Sequence, residues 1–124
     1  PIVGLQGYSP VSLMMSTEWV RGKPEYAYEY KGIVYHMATR LEYDSFRARP
    51  EDFAPKYLGC DPVVLSLTDQ QVAGRIEFGA FYEGELFLFT TAENRSRFKS
   101  SPLRYLRLQH VMKANDIDRS TLIR

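Results

Sequence analysis

From residue 26 to residue 37 aromatic and apolar positions alternate with polar or small ones at a period of two, and beyond Thr39 the period lengthens to that of a helix. Tyr26, Tyr28 and Tyr30 alternate with Ala27 and Glu29, Lys31-Gly32 interrupts, and Ile33-Val34-Tyr35-His36-Met37 returns. A glycine at the second turn position supplies the positive φ of a tight hairpin turn, so the pattern predicts an antiparallel hairpin. The same reading holds for Phe78 to Tyr82, Glu83-Gly84 and Glu85-Leu86-Phe87-Leu88-Phe89. A short helix is expected after each hairpin. Thr39-x-x-Glu42 forms a capping-box pattern ahead of Tyr43 and Phe46, and Thr90-x-x-Glu93 is taken as the corresponding start ahead of Phe98. Pro50 and Pro102 end these helices and can open another at its first turn. Leu103, Leu106, Leu108, Val111 and Met112 predict a longer C-terminal helix, and the polar tail NDIDRSTLIR is expected to fray or to dock on a partner.

The two hairpin–helix patterns are copies of one another. Shifted by 52 positions, residues 7–54 align with 59–106 without a gap and with twelve identities in 48 positions. Gly7, Pro10, Val11, Leu13, Val20, Gly22, Glu25, Tyr30, Gly32, Thr39, Phe46 and Pro50 recur as Gly59, Pro62, Val63, Leu65, Val72, Gly74, Glu77, Tyr82, Gly84, Thr91, Phe98 and Pro102. Each copy opens on Gly-x-x-Pro-Val-x-Leu, where a proline that cannot donate to a ladder suggests the start of a short or edge strand. Residues 16–24 and 68–76 suggest a turn followed by a short strand, and PIVGLQ at 1–6 carries no signal beyond being apolar. A unit of about 50 residues buries its own apolar faces poorly, and no Gly/Ser/Pro-rich spacer separates the copies. The expected class is therefore α+β. Two pseudo-symmetric units, 7–58 and 59–106, would each contribute an antiparallel hairpin and a short helix to one compact domain, with a C-terminal helix and tail at 107–124.

Composition narrows the chemistry. In 124 residues, 44% hydrophobic content is enough for a packed core, and sixteen basic against fifteen acidic residues give a net charge of +1, too little to steer the chain to nucleic acid or an anionic membrane. Arg95, Arg97, Lys99, Arg104, Arg107 and Lys113 are interspersed with apolar residues as on a solvated helix face. The single cysteine, Cys60, excludes an internal disulfide and a multi-cysteine metal site within a monomer. No membrane span and no signal peptide are present in the sequence. A chain beginning at Pro1 rather than Met permits a leader to have been removed.

With these residues in place, the chain resembles the YHS domain family, in tandem. GKPEYAYEYKGIVYHMA…F…RPEDFAPKYLG is similar to the version followed by a Pro-x-Tyr-x-Gly segment, and DPVVL…YEGELFLFTTAENRSRF…SPLRYL to the version that begins with Asp-Pro-Val. Metal-binding members place one cysteine after Asp-Pro-Val, a second just after the hairpin and a third four residues further on. Here those positions hold Val64, Thr90 and Asn94 in the second copy, and Ser12, Ala38 and Glu42 in the first. The resemblance therefore implies the fold without the soft-metal site, and no cofactor is expected.

The remaining candidates are few. His36, with Glu42, could form a hard-metal or acid/base site, although a hydrogen-bonded structural histidine is the expectation. His110 is read as a helix-surface residue and Cys60 as a buried, inert thiol. No Gly-x-Ser-x-Gly or other nucleophile motif suggests an enzyme. Trp19, Tyr28, Tyr30 and Tyr35 are candidates for an exposed aromatic platform that binds a partner. The expected function is a non-enzymatic interaction or structural subunit of a larger bacterial assembly, meeting a protein partner or a second copy of itself, with a metal-binding or metal-delivery protein using His36 and Glu42 as the alternative. From the resemblance and the missing Met, a periplasmic or secreted location is expected, with the cytoplasm left open.

Overall fold

A computed structural model describes residues 2–106 and 110–122. The fold is α+β, and the chain divides into two compact units, Pro1–Ala54 and Pro55–Arg124. The division falls just before Pro55 rather than after Leu58.

In the first unit Ile2–Val3 (β1) runs parallel to Ile33–His36 (β3), which pairs antiparallel with Ala27–Tyr30 (β2). The apolar arm at the start of the chain is thus an edge strand. Lys31 (φ 53°) and Gly32 (φ 82°) turn the hairpin with the two left-handed residues such a turn requires, as expected. Pro10–Ser16 (α1) and Arg40–Ala48 (α2) complete the unit. Phe46 of α2 is fully buried, with Tyr35 at 5.2 Å, Tyr28 at 6.0 Å and Tyr30 and Phe53 both at 6.4 Å between ring centroids. Truncating such a ring to alanine costs about 3–5 kcal/mol.

The second unit repeats this plan. Pro62–Thr68 (α3), Arg75–Tyr82 (β4), Glu85–Phe89 (β5) and Ala92–Ser100 (α4) follow in the same order, and Pro102–Leu106 (α5) stands where a short turn, Pro50–Asp52, stands in the first. Strands β4 and β5 pair antiparallel around Glu83-Gly84, with an irregularity between Arg75 and Gly79. Phe98 occupies the place of Phe46, ringed by Phe87, Phe89, Tyr82 and Tyr105. The repeat reaches the backbone itself. Among the described residues, every left-handed position has a counterpart 52 residues away: Leu5 and Tyr57, Gln6 and Leu58, Gly7 and Gly59, Thr17 and Asp69, Lys31 and Glu83, Gly32 and Gly84. Gly22 and Gly74 are required by close approach, because a Cβ there would overlap the main chain of His36 and of Leu88 respectively.

Four expectations are corrected. The Gly-x-x-Pro-Val-x-Leu segments are helices, not strands: Ser9 and Asp61 are extended N-cap residues whose side chains accept from the first turn, and Pro10 and Pro62 sit at the first helical position, where no N–H is needed. Helix α4 starts one residue later than expected, because Thr91, not Thr90, caps it by accepting from Asn94 N–H at 3.0 Å. The short strands within 16–24 and 68–76 reduce to isolated bridges, Tyr8–Arg21, Cys60–Ala73 and Val72–Asp118, ahead of β4. Of the longer C-terminal helix expected, Pro102–Leu106 is helical and 110–113, with Val111 and Met112, are irregular; residues 107–109, Leu108 among them, lie outside the described residues.

The tail docks on its own unit. Gln71 grips Lys113 at both ends, its Oε1 accepting from the Lys113 N–H at 2.8 Å and its Nε2 donating to the Lys113 carbonyl at 3.1 Å. Asp118 N–H donates to the Gln71 carbonyl and Ala73 N–H to the Asp118 carbonyl, both at 2.8 Å, so the segment joins Val72 as a parallel partner. Thr121 Oγ1 closes the contact on the Ala73 carbonyl at 2.7 Å, and the Arg75 guanidinium on the Thr121 carbonyl at 2.5 Å.

Candidate functional site

The three positions at which the YHS resemblance implies cysteines are brought together in each unit, by the end of the hairpin and the first turns of two helices. In the first unit Glu42, in the first turn of α2, turns its carboxylate towards the start of α1. Ser9 Oγ donates to Oε1 at 2.7 Å, Ser12 Oγ donates to Oε2 at 2.5 Å, and the Ala38 N–H donates to Oε1 at 2.9 Å. Ser9 also accepts from the Ser12 N–H at 3.1 Å, so one hydroxyl both caps α1 and ties it to α2. Burial works to raise the Glu42 carboxyl, but the hydrogen bonds from Ser12, Ser9 and Ala38 together outweigh it and hold it below the usual carboxylate range.

In the second unit the acid sits on the other element. Asp61, equivalent to Ser9, is fully buried. Its Oδ1 accepts from the Val63 and Val64 N–H groups at 2.8 and 3.2 Å. Its Oδ2 accepts from the Thr90 N–H at 2.7 Å, Thr90 Oγ1 at 2.9 Å and Asn94 Nδ2 at 3.0 Å. Asn94 is the equivalent of Glu42 and Thr90 of Ala38. The same locus thus holds one acid and a set of donors in both units, with acid and donor exchanged between the loop and the helix.

These residues do not fit the metal that the resemblance would imply. No thiol is among them, and in each unit the acid is already committed to donors of its own chain. Among the described residues no group of three or more His, Cys, Asp or Glu side chains could hold a metal ion. His36 lies half-buried on β3 opposite Ala27, while the Glu42 carboxylate faces Ser9, Ser12 and Ala38 instead. Cys60 is fully buried, and burial, followed by the neighbouring Asp61, pushes its thiol up to about 12, which removes the thiolate at neutral pH.

The aromatic candidates separate into two groups. Tyr35 is 0% exposed and belongs to the core, so it cannot be a contact residue; it shares the inner face of β3 with Ile33. Tyr28 and Tyr30 are half-buried with their ring edges on Phe46, and Tyr28 also meets Tyr43 at 6.0 Å. Trp19 is 46% exposed, edge-on to Tyr8 at 5.4 Å, and the Arg21 guanidinium lies 4.5 Å above the Tyr8 ring while donating to the Gln6 carbonyl at 2.6 Å. Tyr8 and Arg21 were not singled out from sequence; their place opposite Trp19 follows from the Tyr8–Arg21 bridge, which no local pattern announces. The equivalent positions of the second unit, Cys60, Gln71 and Ala73, form no such stack and lie against the tail or in the core.

His110 is not a helix-surface residue. It is largely buried, with Nδ1 3.4 Å from Asp69 and its ring edge-on to Tyr57, and it lines a cleft of about 710 Å³ with Gln71, Lys113, Asp116 and Asp118. Burial, and then the charge of Glu85, raise the Tyr57 hydroxyl. Among the described residues no helix is long and apolar enough to cross a membrane. No protein-family model, curated protein or solved structure matches the chain.

Proposed function

We propose that the chain is a non-enzymatic tandem YHS-like module serving as an interaction or structural subunit of a larger bacterial assembly outside the cytoplasm. The observation that supports this reading is the closure of both loci at which the resemblance implies a metal. Each is filled by an acid whose hydrogen bonds come from its own unit, so neither offers an open ligand position or an unengaged base for chemistry. What the chain does offer to solvent is the Trp19–Tyr8–Arg21 stack, an exposed aromatic and cationic group of the kind enriched where proteins meet.

Metal analysis and native sizing test the proposal together. Protein purified without chelator is expected to carry copper, zinc and iron well below stoichiometry, and to enter a larger assembly when isolated from its source under native conditions. A stoichiometric metal that is lost on Glu42→Gln or Asp61→Asn would overturn it, and so would a chain that stays monomeric and unaccompanied in its native extract.

A further inference from the structure

The second unit covers, with its own tail, an edge whose equivalent in the first unit has no such cover among the described residues. In both, a short extended segment lies beside the opening loop with the same inner hydrogen bonds: Ser9 N–H to the Val20 carbonyl and Gly22 N–H to the Gly7 carbonyl, then Asp61 N–H to the Val72 carbonyl and Gly74 N–H to the Gly59 carbonyl. Successive main-chain groups of an extended segment point to opposite sides. The outward groups are therefore the Trp19 carbonyl and Arg21 N–H in the first unit, and the Gln71 carbonyl and Ala73 N–H in the second. In the second unit Asp118 satisfies both. In the first, neither group has a hydrogen-bond partner among the described residues, and Trp19, Arg21 and Lys23 are all exposed.

We propose that the Trp19–Lys23 edge is a strand-addition site for an extended segment of a partner protein, which runs parallel to it and takes the place that residues 117–121 take on the second unit. The proposal rests on the interaction reading above and says where and how that interaction is made. The occupant's chemistry follows from what stands at each equivalent position. One residue donates its N–H to the Trp19 carbonyl and accepts from the Arg21 N–H, as Asp118 does with Gln71 and Ala73. Trp19 replaces Gln71, whose amide grips the main chain of Lys113, so this edge presents an exposed indole in place of an amide, and an apolar side chain in the occupant complements it. Lys23 replaces Arg75, which reaches Thr121 three residues past the paired one. Lys23 is exposed and has no acidic partner among the described residues, so a carboxylate at that third position complements it. The chain's own tail is committed to Gln71, Ala73 and Arg75, and moving it to the first unit would open the second, so another protein is the favoured occupant over a second copy.

Trp19 is the only tryptophan, so its emission reports this edge alone. The probe is a synthetic peptide copying Ala114–Leu122 with Thr121→Asp, titrated into the full chain. A saturable change in Trp19 emission, with slowed exchange of the Arg21 amide, is expected. Methylating the peptide nitrogen that corresponds to Asp118 should weaken binding about tenfold, the scale of one lost main-chain hydrogen bond, and Lys23→Glu should weaken it as well. No saturation up to millimolar peptide, or equal binding of the methylated peptide, overturns the proposal. So does a chain that dimerises through Trp19, which would make the occupant a second copy. If the peptide fails while the native chain still enters a larger assembly, the edge assignment falls and the interaction reading stands.

Discussion

The two buried polar loci occupy equivalent places in the repeat and are built from opposite parts. In the first unit the acid is Glu42 on α2 and the donors are the hydroxyls of Ser9, which caps α1, and Ser12, in its first turn; in the second the acid is Asp61, which caps α3, and the donors are Thr90 and Asn94 beside and on α4. What is kept is a requirement, not a residue. The N–H after the hairpin, Ala38 or Thr90, needs an acceptor, and the start of one helix must be tied to the start of the other. A single acid answers both needs from either side. The two loci differ in depth, since Asp61 is fully buried and receives five hydrogen bonds while Glu42 is only partly buried and receives three.

The largest effect should come from the deeper locus. Asp61→Ala leaves the Thr90 N–H, the Asn94 amide and the first N–H groups of α3 without an acceptor in a closed space, and a loss of about 3 kcal/mol or more is expected in denaturant unfolding. The comparison itself is tested by exchange of parts. Asp61→Ser alone should cost about 2 kcal/mol, and adding Val64→Ser and Asn94→Glu, which rebuild the arrangement of the first unit, should return at least about 1 kcal/mol of it through coupling. If the triple substitution is merely additive, the two loci are not equivalent solutions.

A smaller effect, distinguished by its pH dependence, is expected in the first unit. The folded state holds Glu42 below its ordinary range, so its contribution is fully present above the unfolded carboxyl value and is lost as pH falls through the lowered folded one. Glu42→Gln should cost about 1–2 kcal/mol near neutral pH, because an amide cannot accept from all three donors. The gap between variant and parent should close in acid. Trp19 emission follows the unfolding of this unit, and stability curves that stay parallel down to strongly acidic pH would show that the carboxylate charge contributes nothing.

The hairpins and α2 were legible in the sequence because their signals are local: a Lys-Gly or Glu-Gly turn between alternating flanks, and Thr39 three residues before Glu42. The α1 and α3 segments are less legible, because a proline such as Pro10 or Pro62 suits the start of an edge strand as well as the first turn of a helix. The residues before them, Ser9 and Asp61, held the better signal, since a capping side chain followed by proline marks a helix start. Tyr35 shows the limit of counting aromatics. Its alternation with Val34 and His36 placed it on the inner face with Ile33, and that face is the core. The polar loci were out of reach because Ser9 and Glu42, or Asp61 and Asn94, are 33 residues apart and meet only after the hairpin folds.

The smallest effect separates the two edges. The Ala73 N–H donates to the Asp118 carbonyl, whereas the equivalent main-chain N–H, that of Arg21, has no acceptor among the described residues. Amide exchange should therefore be at least about tenfold slower at Ala73 than at Arg21 in the free chain, because exchange at an exposed, unbonded amide needs no opening of structure. Asp118→Pro removes the N–H that meets the Gln71 carbonyl and should bring Ala73 towards the Arg21 rate at a stability cost of about 1 kcal/mol or less. The Arg21 rate should not change in that variant, since its edge never held the tail. An Arg21 amide already as protected as Ala73 in the unliganded protein would mean that the first edge is closed by other means, and with that the contrast between the covered and the open edge would disappear.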